Sequence, residues 1–272
     1  MDWNTGEIDF EGRGADRGLR GITFDGNDIY IAASDELFCY DRKFRIQRSF
    51  RNHYLKHAHE ISCMERKVLV TSTGFDSLLC FDLDANEFTW GAQLQRSSDG
   101  WSVARFDPRT EYGPDPSNEF HINMVQAGSQ GIFLSGLKAG ALLHLGSDFQ
   151  IREVCNLPTG THNAQPYRDG VIFNDTGSDS VRRVGRDGTS QAFRIATYDE
   201  ADLEFAGVDD SKIARQGFGR GLCPVGEQFL AGGSSPSTVT LYDLATERVV
   251  ASVNLTMDIR NAIHGLEIWP YE

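Results

Sequence analysis

Four histidines and two arginines of this chain share one position in a repeated pattern of residues. Six segments fall into one register: "LRGITFDGNDIYIAAS", "AHEISCMERKVLVTST", "FHINMVQAGSQGIFLSG", "THNAQPYRDGVIFNDTG", "GRGLCPVGEQFLAGGS" and "IHGLEIWPYE". The second residue of each is Arg20, His59, His121, His162, Arg220 and His264. Neutral imidazole is a favoured ligand for zinc, iron and other transition metals, and a guanidinium binds a carboxylate or phosphate through two parallel hydrogen bonds. These residue types point to a divalent metal, Fe(II), Zn or Mn, held by His59, His121, His162 and His264. Arg20 and Arg220 would orient a small anionic substrate beside it.

Residues adjoining this position extend the candidate site. Glu60, Asn123, Asn163 and Glu267 are close in sequence to the histidines and suit acceptors that fix an imidazole tautomer, or, for either glutamate, a general base. Asp76 in "GFDS" and Asp179 in "GSDS" are expected on the same face, as substrate contacts or as turn formers capping their own backbone. His57, in "HAH", is a substitute ligand, His53 is expected to be exposed, and His144 is expected to be structural. A purely structural reading competes with the chemical one. A histidine at a strand start can bond a neighbouring backbone, and an arginine can pair with one of the many acids.

The elements that must position these residues are short strands. "DIYIAAS", "ELFCYD", "KVLVTS", "LLCFDL", "GIFLSG", "VIFND" and "VTLYDL" are apolar runs separated by Gly, Asp, Asn and Ser turns, and helical periodicity is nearly absent. Each of the first five segments continues through a third and a fourth strand. Four antiparallel strands in about forty residues is the pattern of a β-propeller blade. The expected fold is therefore all-β: one β-propeller domain over residues 1–272, with five complete blades and a partial sixth closed by both termini, "GEIDFEG" supplying a strand. A five-bladed ring is the alternative. The Gly-His and Trp-Asp marks of the WD40 subfamily are missing.

Spacings between the repeat positions are 39, 62, 41, 58 and 44, so two intervals each hold an insertion. These fall at about 91–120 and 197–219, each ending just before a repeat position, and both are expected to cover the face where the inner strands begin.

Composition excludes several classes. Lys and Arg total 26 against 39 Asp and Glu, a formal charge of −13, which disfavours nucleic acid and anionic membrane as partners. No apolar run is long enough to span a bilayer and no basic leader opens the chain, so a cytoplasmic protein is expected. Five cysteines without metal-type spacing read as reduced core thiols. No GxSxG, P-loop or HExxH pattern occurs, and "GFGRG" at 217–221 precedes a strand rather than a helix.

Three segments carry a resemblance. His121-Ile122-Asn123, the run "HNAQPYRDGVIFNDTGSDSVRRV", and "GRGL" followed by "LAGGSS" and a C-terminal "EIWP" resemble an uncharacterised family of bacterial six-bladed β-propellers, NHL-like in appearance, over residues 115–270. The family's corresponding motifs are H-L-N-G-L, H-S-P-R-W and R-G-L, and Asn163 stands where it has serine. The resemblance implies the fold and the site positions, not an activity. In chemistry, the four histidines are similar to the iron(II) site of carotenoid-cleaving oxygenases and to the metal-binding histidine cluster of oligogalacturonate lyase-type propellers. The expected function is a metal-dependent lyase, isomerase or hydrolase, with an iron(II) oxygenase and a non-catalytic binding propeller as alternatives.

Overall fold

The computed structural model describes residues 18–206 and 215–271. Its strands form five antiparallel sheets, each laid down in chain order from one edge to the other. The first sheet holds β1 (Ile22–Asp25), β2 (Asp28–Ala33), β3 (Glu36–Tyr40) and β4 (Ile46–Arg51). The second holds β5 (Ala58–Met64), β6 (Lys67–Ser72), β7 (Ser77–Asp82), β8 (Glu87–Ser97) and β9 (Gly100–Phe106). β10 (Ile122–Gly128), β11 (Gly131–Gly136), β12 (Ala141–Leu145) and β13 (Ile151–Asn156) make the third. β14 (Thr161–Tyr167), β15 (Gly170–Asp175), β16 (Ser180–Gly185) and β17 (Ser190–Arg194) make the fourth. The fifth consists of β18 (Phe218–Val225), β19 (Phe229–Ser235), β20 (Thr238–Asp243) and β21 (Arg248–Asn254).

Side-chain chemistry follows strand order within a sheet. In the first two sheets the second and third strands are apolar on both faces: Ile29 to Ala33, Val68 to Val70 and Leu78 to Phe81 are all buried. Fourth strands such as β4 and β21 are almost wholly exposed, so their polar and charged residues meet water. The chain divides into two compact units, one up to Ile132 together with Leu145–Arg152, the other Phe133–His144 together with the chain from Glu153 onward. The first is centred on Leu37, Tyr54, Leu55, Val70, Leu79 and Phe81. The second is centred on Ile172, Val181, Phe193, Leu230 and Tyr242, with a smaller cluster of Leu142, Leu157, Ala164 and Phe173. All five cysteines are free thiols, and burial pushes Cys63 and Cys80 up to about 11.

Five sheets stand where five and a partial sixth were expected. The segment "IHGLEIWPYE" forms no strand, and among the described residues no strand follows β21. It lies instead against the fifth sheet, where Ile263 N–H donates to Ser234 O at 3.3 Å. Its apolar run resembles a strand, but a strand needs a hydrogen-bonded neighbour along its length, and composition does not supply one. "GEIDFEG" lies outside the described residues.

The first insertion also differs from expectation. Residues 91–97 continue β8, and β9 returns beside it in register from Gly91 opposite Phe106 to Ser97 opposite Gly100. Half of the anticipated loop is thus a hairpin at the outer edge of the second sheet. Only 107–121 is loop, and it comes back over the β4–β5 link: Asn52 Nδ2 donates to Pro108 O at 2.9 Å, and Tyr54 Oη to Thr110 O at 3.1 Å.

The β3–β4 type turns repeat a single device, an aspartate whose carboxylate accepts N–H groups two to four residues on. Asp41 is held below the ordinary carboxylate range first by the Arg45 N–H, and Asp82 by the Ala85 N–H. Asp187 is lowered first by the Thr189 hydroxyl, and Asp243 by the Gln228 amide. A carboxyl depressed in the folded state contributes stability that is complete above its unfolded pKa and lost as pH falls through the folded value. Melting temperature should therefore be level down to about pH 5 and fall below about pH 4. Asp243→Asn, which keeps an acceptor oxygen but does not titrate, should flatten part of that fall in circular-dichroism melts.

Candidate functional site

Local irregularities of the first strands set the repeat position apart. β5 shifts register between Ala58 and Ile61, around His59. β14 shifts between His162 and Gln165, and β18 between Gly219 and Gly221, around Arg220. A bulge turns a side chain off the regular alternation, so that it need not follow the face of the core residues beside it. His121 and Asn163 have φ of 53° each, a left-handed conformation that departs from the strand in the same way.

In the first unit, Arg20, His59 and His121 come together. Arg20 Nη1 donates to His59 Nε2. His59 Nδ1 faces His57 O and Thr73 Oγ1, each at 2.8 Å, and the Thr73 hydroxyl donates onward to Ile122 O at 2.6 Å. The His121 ring stands edge-on to His59 with centroids 5.3 Å apart, and its Nδ1 lies 2.9 Å from Asn118 Oδ1. Asn123 is buried in β10, and Glu60 is half-buried beside His59. The "RG" pair has a steric reason: Gly21 N–H donates to His59 O at 2.7 Å, and a Cβ on Gly21 would stand 2.6 Å from that oxygen and from Ile61 N.

Asp76 anchors the segment leading into His121. It is fully buried, with φ of 44°, in the β6–β7 turn. Its Oδ2 accepts Ser117 Oγ–H at 2.7 Å and Glu119 N–H at 2.6 Å, and its Oδ1 accepts His121 N–H at 2.9 Å. The carboxylate is thus committed to the backbone that presents His121.

The second unit repeats the arginine–histidine contact. Arg220 Nη1 donates to His264 Nε2 at 3.1 Å, and His264 Nδ1 faces Ala262 O at 3.4 Å. A Cβ on Gly221 would lie 3.0 Å from His264 O, so this second "RG" glycine also makes room for the backbone of its histidine. His162 is buried, its Nδ1 faces Gly160 O at 3.3 Å, and its ring stands edge-on to Phe218 at 5.6 Å. Phe218 in turn lies under Arg220, with the guanidinium carbon 4.3 Å from the ring centroid. Asn163 Oδ1 accepts from Asn174 Nδ2 at 3.0 Å, and the same amide donates to Gly221 O at 3.2 Å. Asp179, the counterpart of Asp76, is partly exposed and pairs with Arg215 at 2.7 Å. Glu267 is exposed and accepts from Ile268 N–H at 2.8 Å.

One feature is common to all four histidines: Nδ1 faces an oxygen, His57 O, Asn118 Oδ1, Gly160 O or Ala262 O. These acceptors assign the proton to Nδ1 and leave the lone pair on Nε2, the tautomer that serves as a base or a metal ligand. Among the described residues, no group of three or more His, Cys, Asp or Glu is arranged to hold a metal ion. At His59 and His264 the Nε2 lone pair accepts from a guanidinium, which a metal would have to displace. Sequence reasoning missed Thr73, Asn118, Arg215 and Phe218. Their signal was positional, since each lies next to a repeat position or a strand-turn boundary, but their types alone suggested ordinary turn and core residues.

No family model matches the chain, and no curated protein matches it by sequence. Solved structures do. Virginiamycin B lyase from Staphylococcus aureus superposes with a TM-score of 0.52 at 11% identity, over 89% of this chain and 71% of the lyase. U3-55K gives a TM-score of 0.56 at 10% identity over 87% of this chain and 64% of that one. The RRP9 WD40 repeats give 0.55 at 10% identity, over 87% and 63%. The fold is a β-propeller. Its five sheets are the blades, so the five-bladed alternative holds and the six-bladed count of the resembled family does not.

The two propeller glycines should differ in cost. Backbone atoms obstruct both, at 2.6 Å for Gly21 but 3.0 Å for Gly221, so Gly21→Ala should lose about 2 kcal/mol or more, and Gly221→Ala less. Asp76→Ala leaves several buried N–H groups without an acceptor and should cost about 3 kcal/mol. Urea unfolding measures all three.

Proposed function

We propose that this propeller is an enzyme of the lyase, isomerase or hydrolase type acting on a small anionic substrate. The observation that carries the reading is the shared orientation of His59, His121, His162 and His264, each with Nδ1 facing an oxygen. A base or a metal ligand needs a fixed tautomer, and this repeated orientation supplies one. Arg20 and Arg220, each placed against an imidazole, supply the fork that grips a carboxylate or phosphate.

The Nε2 atoms are suitable donors for Fe(II), Zn or Mn, which would supply Lewis-acid or water-activating chemistry when bound. The chain's own part is to hold the substrate anion through arginine and to move a proton at Nε2, with Glu60 or Glu267 as a further base. That a propeller can host such chemistry is consistent with the Staphylococcus aureus lyase, which loses activity in a histidine-to-alanine variant. A non-catalytic binding propeller is the second reading, favoured by the two Nε2 lone pairs already engaged by guanidinium.

Elemental analysis of untagged protein purified without chelator decides the metal. Stoichiometric zinc or manganese supports the lyase or hydrolase, and stoichiometric iron supports an oxygenase. No metal, with melting unchanged on adding these ions, overturns metal dependence. His121→Ala and His162→Ala should each lose retained metal while keeping the β-type far-ultraviolet spectrum.

A further inference from the structure

The loop residue Arg215 stands close to the second unit's arginine–histidine set. Its guanidinium carbon lies 4.8 Å from the centroid of Phe218, the ring that Arg220 also covers, at 4.3 Å, and against which His162 is packed. Its place is set by the two residues that follow it. Gln216 makes paired hydrogen bonds with the Tyr198 backbone, accepting N–H at 2.8 Å and donating to the carbonyl at 3.2 Å. Gly217 N–H donates to Ser235 O at 3.1 Å, and φ of 73° at Gly217 turns the chain into β18.

The hydrogen bonds of Arg215 go to carbonyls, Nη2 to Thr176 O at 2.7 Å and Nη1 to Gln216 O at 3.2 Å. A guanidinium carries more N–H donors than these two acceptors use. Asp179 Oδ1 also lies 2.7 Å from Nη2, yet this shielded oxygen makes no aligned hydrogen bond. The two groups attract as charges without the fork geometry that makes such pairs strong, and both side chains are partly exposed, 31% and 45%.

We infer that Arg215 and Arg220, on the shared ring of Phe218, form an anion-binding pair for a small carboxylate, with Asp179 as an internal carboxylate that the ligand displaces from Arg215. The inference rests on the proposed anionic substrate and adds to it the second guanidinium and the group with which the ligand competes. The flat guanidinium fork matches a carboxylate's two oxygens, and Asp179 occupies that place imperfectly because its short side chain is fixed to a turn with φ of 48°.

Calorimetric titration with malonate, and separately with inorganic phosphate, tests it on the full chain at constant ionic strength. Asp179→Asn should bind malonate about threefold more tightly, a gain that misfolding does not produce. Arg215→Gln should weaken it about tenfold or more. Tighter binding of phosphate than malonate by the wild type overturns the carboxylate assignment. If Arg220→Gln abolishes binding while Arg215→Gln and Asp179→Asn leave it unchanged, Arg215 has no part and the proposed function stands. If the wild type binds neither anion, the anionic-substrate reading itself falls.

Discussion

The contact on which each arginine–histidine set depends is a backbone one, the close approach of an Arg-Gly strand start to the histidine segment of the next repeat. Gly21 N–H reaches His59 O, and the glycine leaves no room for a side chain there. Gly221 lies against His264 in the same way but less tightly, its Cβ position 3.0 Å from His264 O where that of Gly21 is 2.6 Å from His59 O. Once the backbones are this close, the arginine beside each glycine is carried to the imidazole of the facing histidine. The side-chain contact is thus a consequence of strand packing, and its recurrence in both units follows from the recurrence of the glycine.

Around this contact the propeller separates rigidity from presentation. Middle strands such as β2, β6 and β7 bury apolar residues on both faces, while the first strands carry the bulges that release His59, Asn163 and Arg220 from the alternation. Two insertions are tied back to β2–β3 type turns by aspartates in left-handed conformation, in different ways. Asp76 is fully buried and serves several N–H groups, so the approach to His121 is fixed. Asp179 holds Arg215 by charge at a partly exposed pair, a contact of lower strength and more easily exchanged.

Much of the fold was legible because blades repeat. Short apolar runs with polar turns identify strands, and a forty-residue period identifies four-stranded units, since both reflect local backbone pairing and burial. The capping roles of Asp41, Asp82 and Asp243, which sequence reasoning did not single out, are equally local, as each accepts N–H groups within a few residues of itself. The partial sixth blade was not legible correctly: "LEIW" has the composition of a strand, and composition does not reveal whether a partner lies beside it. The first insertion was read as a loop because the alternation of "GWSVARF" has meaning only opposite β8.

For the candidate site, the sequence by itself determined which residues share a repeat position and that their types are imidazole and guanidinium. Covalent order and strand periodicity are sufficient for that. Tertiary structure decided the rest: that Arg20 meets His59, that Arg220 meets His264, that every Nδ1 faces an oxygen, and that Arg215 shares the Phe218 ring. The arginine–histidine contacts join residues 39 and 44 positions apart, whereas the Nδ1 contacts and the Arg215–Phe218 contact are near in sequence and take their shape from the turns and bulges that strand packing imposes. Their geometry arises only when separate strands pack, so no local pattern encodes it.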